Sequence, residues 1–331
     1  MEFKTIVGID VSKLTIDAAV HGHKGTEEFT NSKKGFRKLF SWIKKLTGDS
    51  LDQTLFCFEH TGLYSVTLSV HLSESGFSFA QVPALEIKRS MGIVRGKNDR
   101  VDAHRIARYA YERREDIQLS ILPDTSITKL QLYLTLRSTL VRQRSSLDAT
   151  AKEQQAVYSS KEYKEFFNVY SKASAALQKR IEEIECKMSA IIESDEKLSR
   201  NYELVTSVTG IGQFTASYIL VCTQNFQRFE NWRKFAYYSG TAPFEHSSGT
   251  SVKGRTKVHH FANRVIKSLL FMCALSAVKF DRELKRYYQR RIEKGKSKMS
   301  TLNIIKNKLL ARIFTAVKRQ SPYVRLDMLQ G

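Results

Sequence analysis

The sequence predicts an α/β fold at the N-terminus, a mixed sheet flanked by helices, that gives way to an all-helical remainder. Three observations carry this. Short β-branched runs alternate with helix-period segments over residues 1–122. Gly and Pro all but disappear from 124 to 200, where apolar residues step at helical spacing. From 201 on, a Gly-Ile-Gly turn is followed by a long basic stretch of helical composition. The expected divisions are 1–122, 123–200 and 201–331, with a helical or coiled-coil middle.

In order, Thr5-Ile6-Val7-Gly8-Ile9 is a first strand and 14–20 a second, with alternation in Thr15-Ile16-Asp17. A third lies near 27–30. Asn31-Ser32 offers an N-cap for a helix over 33–46, with Phe36, Leu39, Phe40 and Ile43 on one face. Thr54-Leu55-Phe56-Cys57-Phe58 reads as a buried strand ending at Glu59, followed by a helix over 63–75 and a strand over 77–82 that Pro83 stops. Three strands followed by helix–strand–helix–strand make a mixed sheet. In the middle, Leu177, Ile181, Ile184, Met188 and Ile191 form a heptad seam. Two heptads leave two readings open, packing within the chain or an intermolecular coiled coil.

Composition narrows the function. Across 331 residues, 54 Lys and Arg against 33 Asp and Glu give a net charge of +21. Between 251 and 319 there are 19 Lys and Arg against 3 Asp and Glu. A surplus so concentrated is the footprint of a phosphate backbone, and Arg290, Arg291, Lys306 and Lys308 are its candidate contacts. The four cysteines are far apart, without a C-x-x-C pair, which speaks against a zinc ribbon or disulfide framework and for a reducing cytosol. Residues 204–227 carry no charge, but their Thr, Ser and Gln content and the Gly210-Ile211-Gly212 break exclude a membrane span. Nucleic acid is the expected partner.

In so basic a chain the awkwardly placed acids are informative. Asp10 lies in an apolar strand, Glu59 ends another, and Asp99 and Asp102 share one helical face three residues apart. Either helical Asp taken alone reads as an N-cap. Buried carboxylates held close together repel unless a cation joins them, and oxygen donors suit Mg²⁺ or Mn²⁺. Two such ions activate a nucleophile and stabilise a leaving oxygen in phosphoryl transfer.

The succession G-I-D-V-S-K, F-E-H-T-G-L-Y and K-N-D-R-V-D-A resembles the RuvC-like, RNase H-fold domain of DEDD transposases of the IS-one-ten insertion-sequence family, which includes pilin-gene inverting recombinases. The resemblance implies that Asp10, Glu59, Asp99 and Asp102 are the metal-binding tetrad. His60-Thr61-Gly62 stands where the family commonly has A-T-G, so His60 is read as a packing residue beside a strand end. Gly210-Ile211-Gly212 looks like a helix-hairpin-helix turn, with Thr209 where the family often has Pro. Glycines there either let backbone N–H groups approach a phosphate or make a tight helix–helix turn.

Residues 238–254 read as a loop by composition. The family carries G-x-x-P-x-x-x-x-S-G here, with the serine as nucleophile. Counting from Gly240 and Pro243 assigns Ser248, with Ser247 as the alternative and Lys253, Arg255 and Lys257 as nearby cations. The resemblance further implies a covalent serine–DNA intermediate and a structured bridge RNA pairing with target and donor DNA. An Asp site and a Ser site on separate domains can meet across protomers, so homodimers assembling into a tetramer are expected, in a prokaryotic cytoplasm at the nucleoid. A metal-only junction-resolving nuclease and a non-catalytic nucleic-acid-binding protein are the competing functions.

Overall fold

The structure is a computed structural model that describes all residues except 1–2, 49, 61, 91–98, 243, 249–251, 258–261 and 325–331; for 99–100, 244–248 and 252–257 it describes the backbone. The chain divides into two compact units, Met1–Leu122 and Pro123–Gly331.

The first unit holds a five-stranded sheet of order β3-β2-β1-β4-β5, made from β1 (Thr5–Val11), β2 (Thr15–Val20), β3 (Thr26–Thr30), β4 (Thr54–Glu59) and β5 (Ser78–Val82). The first three strands are antiparallel neighbours, while β4 runs parallel to both β1 and β5. Parallel pairs need a crossover. Helices α1 (Lys33–Thr47) and α2 (Leu63–Glu74) supply it, and the expected mixed sheet is present. Ser32 caps α1, its hydroxyl accepting from the Gly35 N–H, and Gly48 closes the helix in the left-handed region.

Alternation along β1 divides the core in two. Val7, Ile9 and Val11 face Phe36, Leu39, Ile43, Leu68 and Leu72 of α1 and α2. Ile6 on the other face joins Leu55 and Cys57 of β4 and residues of α3 (Ala84–Ser90) and α4 (Asp99–Glu112). On that face Gly8 is where α4 crosses the sheet. A Cβ there would lie 2.2 Å from the Ala107 nitrogen and 2.3 Å from the Ala103 oxygen. Only glycine permits so close an approach of helix to strand.

In the second unit, α5 (Thr125–Val157) and α6 (Lys164–Glu193) form a long helical pair, continued by α7 (Glu196–Thr206) and α8 (Gln213–Thr223). Ile184 and Met188 of the heptad seam pack with Ile127, Leu130 and Leu134 of α5, so the seam is used within the chain. Ile192, not Ile191, continues it into the core, with Ile191 half-buried. Helices α9 (Trp232–Tyr238), α10 (Arg264–Phe280), α11 (Arg282–Glu293) and α12 (Lys298–Arg319) complete the unit around a core of Phe235, Ile266, Leu270, Leu284, Ile305 and Leu309. Asp281 caps α11 and is held by Arg312 at 2.7 Å, a pair almost wholly buried.

The expectation of a loop over 238–254 is corrected. Strands β6 (Phe244–Ser248) and β7 (Val252–Lys257) pair antiparallel, with a register shift between Phe244 and His246. Ser and Gly composition favours turns, but cross-strand pairing decides, and pairing is not visible in a local window. Among the described residues no helix is long and apolar enough to cross a membrane.

Candidate functional site

Parallel register sets Ile9 beside Phe58, so Asp10 and Glu59 are the next residues along two adjacent strands, at their carboxyl ends. Both follow the alternation of Ile6, Gly8, Leu55 and Cys57, which places them on the α4 face. Asp10 is also directly opposite Asp17 of β2, which is 7% exposed. Three acidic positions therefore stand side by side across β2, β1 and β4. Like charges directly opposite each other destabilise a sheet unless something offsets them. Asp17 was missed by the sequence reading, where it counted only as one beat of a strand's alternation.

Helix α4 crosses this face at Gly8, where Ala103 and Ala107 lie against the strand, and Asp102 directly precedes Ala103. Asp102 is half-buried and its carboxylate accepts from Arg105 at 2.7 Å. The Asp99 backbone begins the helix; its side chain lies outside the described residues. Burial pushes the Cys57 thiol up to about 12, with the Glu59 carboxylate adding to the effect. Among the described residues no three His, Cys, Asp or Glu side chains are drawn together as a metal set. The donors on this face are nevertheless all carboxylates, which suits a hard divalent cation. The packing role expected of His60 is corrected: it is exposed, and its Nδ1 accepts the Gly62 N–H.

The turn between α7 and α8 separates its two glycines. Gly210 has φ +96°, and a Cβ there would meet the Cys273 oxygen at 2.8 Å and Ala277 at 2.9 Å, so packing on α10 requires it. Gly212 begins α8 without a side-chain cap, and a Cβ there would meet nothing within 4 Å. Of the two glycines, Gly212 is the one with open space where a side chain would be.

Ser248 ends β6 and Ser247 precedes it, paired with Val252 and Lys253. The side chains of both serines and of Lys253, Arg255 and Lys257 lie outside the described residues. What anchors this ribbon is described. Before it, the Thr241 carbonyl accepts from Asn303 Nδ2 at 2.8 Å and Asn307 Nδ2 at 3.0 Å, while Thr241 Oγ1 donates to Asn307 Oδ1 at 2.8 Å. After it, the Asn263 N–H donates to the Tyr238 carbonyl, and Asn263 Nδ2 to Tyr238 Oη, both at 3.0 Å. Sequence reasoning missed these residues, although two Asn four apart on one helix were a visible signal.

The basic positions differ in setting. Arg290 is exposed and Lys308 half-buried, and both cations lie over the Tyr287 ring, at 5.8 and 4.7 Å. Arg291 is half-buried, with Nε lacking a hydrogen-bond partner among the described residues. Lys306 is 5% exposed.

Comparison with known proteins covers both units. Residues 7–154 match the DEDD-type IS110 transposase family and residues 202–289 the transposase family described as IS116/IS110/IS902. The chain is 27% identical over 327 residues to the pilin gene-inverting protein of Moraxella bovis, covering 97% of this chain and 98% of that one. The same figures hold for the pilin gene-inverting protein of Moraxella lacunata. An insertion element IS110 protein of 43.6 kDa from Streptomyces coelicolor is 28% identical over 135 residues, 41% of this chain and 32% of that one.

Proposed function

We propose that the chain, a DNA transposase or recombinase that matches IS110-type transposase families in both of its units, exchanges DNA strands by serine attack with the help of a metal-bound acidic site. The observation that carries this reading is the row of carboxylates at the carboxyl ends of β1 and β4, facing the helix that bears Asp99 and Asp102. The first unit then acts as a RuvC-like domain, and Asp10, Glu59, Asp99 and Asp102 hold Mg²⁺ or Mn²⁺. Bound there, the metal supplies charge stabilisation at the phosphate undergoing attack.

Ser248 Oγ attacks a backbone phosphorus. The new Oγ–P ester forms as the P–O bond to one strand breaks, and the freed strand oxygen takes up the proton. The ester conserves the bond for rejoining to a second strand. Gly212, Arg290, Arg291 and Lys308, with Lys253, Arg255 and Lys257, hold the backbone without reading its sequence. Sequence choice is delegated to a structured bridge RNA that pairs with target and donor DNA. A homodimer assembling into a homotetramer holds the two duplexes.

The test is Ser248→Ala in the full-length chain. Recombination and any DNA strand retained on protein in denaturant should vanish, while nucleic-acid binding persists. Ser247→Ala should keep at least partial activity. An adduct lost in Ser247→Ala but kept in Ser248→Ala would shift the nucleophile by one residue. Normal recombination by the double variant would replace this reading with the metal-only nuclease. Co-purification of a defined RNA tests the guide, and its absence from active protein would remove that part.

A further inference from the structure

Beside the bonds that anchor the β6–β7 ribbon lies a buried cation with no counter-charge among the described residues. Lys306 lies on α12 between Asn303 and Asn307, the two residues that hold Thr241 before the ribbon. Its ammonium leans over the Phe271 ring at 5.5 Å, and only 5% of the residue is exposed. Lys267, in the first turn of α10, stands one helical turn before Phe271 and so on the side of α10 that the Lys306 ammonium meets. That turn directly follows Asn263, which holds the ribbon's far end. Both lysines therefore belong to the ribbon's base.

The local charge is one-sided. The first turn of α10 has no acidic residue, and a helix N-terminus already carries partial positive charge. Among the described residues, neither lysine has a carboxylate or other acceptor for its ammonium. Burial holds the Lys306 ammonium below the usual lysine range, and the Lys267 charge adds to that. A dehydrated cation beside a second cation and a helix N-terminus is costly until an anion arrives.

Resting on the serine reading and refining it, we propose that Lys306 and Lys267 hold one phosphodiester of the DNA strand that the ribbon engages, at the ribbon's base. The exposed basic residues of α11 and α12 make diffuse, screened contacts. This pair makes a single desolvated one, which locates a phosphate rather than attracting the whole strand. Lys306 sits between two residues that fix the ribbon's backbone, so a phosphate bound there is placed relative to the ribbon itself.

The experiment separates this site from the chemistry. Binding of a short mixed-sequence DNA duplex to the full-length chain is measured between about 50 and 200 mM salt, in a Ser248→Ala background so that no covalent step intervenes. Lys306→Met keeps the stem and removes the charge. It should lower the salt slope of log K by about one, while Lys306→Arg keeps the slope. Lys267→Gln, at a half-buried position, should reduce the slope similarly, and it carries the test if Lys306→Met does not fold. An unchanged slope in both neutral variants overturns the proposal and leaves Lys306 a packing residue. Failure of the wild-type chain to form a serine–DNA adduct would instead overturn the serine reading and leave these slopes unaffected.

Discussion

The two units hold their candidate chemistry in opposite ways. In the first, Asp10, Asp17 and Glu59 are registered by a continuous ladder through three strands, and α4 is pressed onto β1 at Gly8. Their spacing is a property of the whole sheet. In the second, Ser247 and Ser248 end one strand of a two-stranded ribbon, which has little stability of its own. The ribbon is placed by its base: Tyr238 with Asn263, and Thr241 with Asn303 and Asn307. The difference teaches that carboxylates meant to share a cation need fixed spacing. In its proposed role, a serine that attacks, stays attached and is released again needs a secure anchor more than a rigid surround.

The largest expected effects break the acidic side of this comparison. Asp10→Asn and Glu59→Gln should each abolish strand cleavage, with melting temperature and RNA binding retained. Each removes one negative ligand and little volume. Wild-type cleavage by either variant at saturating Mg²⁺ would remove that residue from the site.

Gly8→Ala sharpens the point without touching a carboxylate. Its methyl must displace α4 from β1, which should cost about 1–3 kcal/mol in denaturant unfolding. Cleavage should fall by about 100-fold, because displaced groups lose catalytic alignment steeply. Full cleavage by a destabilised Gly8→Ala chain would mean that α4 does not fix the acids.

The paired change Asn303→Ala with Asn307→Ala is the smallest of the three. It frees the Thr241 carbonyl while leaving both units' cores intact, at about 1–2 kcal/mol for the lost hydrogen bonds. The rate of serine–DNA adduct formation should drop by about 10-fold, with metal-dependent properties of the acidic site unchanged. An unchanged adduct rate would show that the ribbon is held by Tyr238 and Asn263 alone.

Legibility in the sequence followed the range of the interactions. The strands at Thr5–Val11 and Thr54–Glu59, and the helix at Lys33–Thr47, were readable from alternation and capping, which are local. Asp10 and Glu59 stood out because an acid in an apolar strand is conspicuous by itself. Their adjacency was not readable, since parallel register is set across more than forty residues of intervening chain. The ribbon escaped for the same reason: its Ser and Gly residues look like a loop until each strand meets the other. The seam shows a subtler limit. A strict heptad points to Ile191, but a helix of 3.6 residues per turn drifts against a 3.5 repeat, and Ile192 takes the buried place. Lys306 was counted with the exposed basic residues because charge composition says nothing about depth.

The four cysteines, expected to stay reduced, have a practical consequence for labelling. Cys57, Cys222 and Cys273 are buried, and burial pushes the thiols of Cys57 and Cys222 up to about 12 and about 11. The thiolate is the form that attacks thiol reagents, so these side chains are shielded both sterically and by protonation. Cys186, on the exposed side of α6, is the one accessible thiol of the four. A maleimide dye added to the native chain therefore reports from a single place on the long helical pair, with no cysteine needing to be removed.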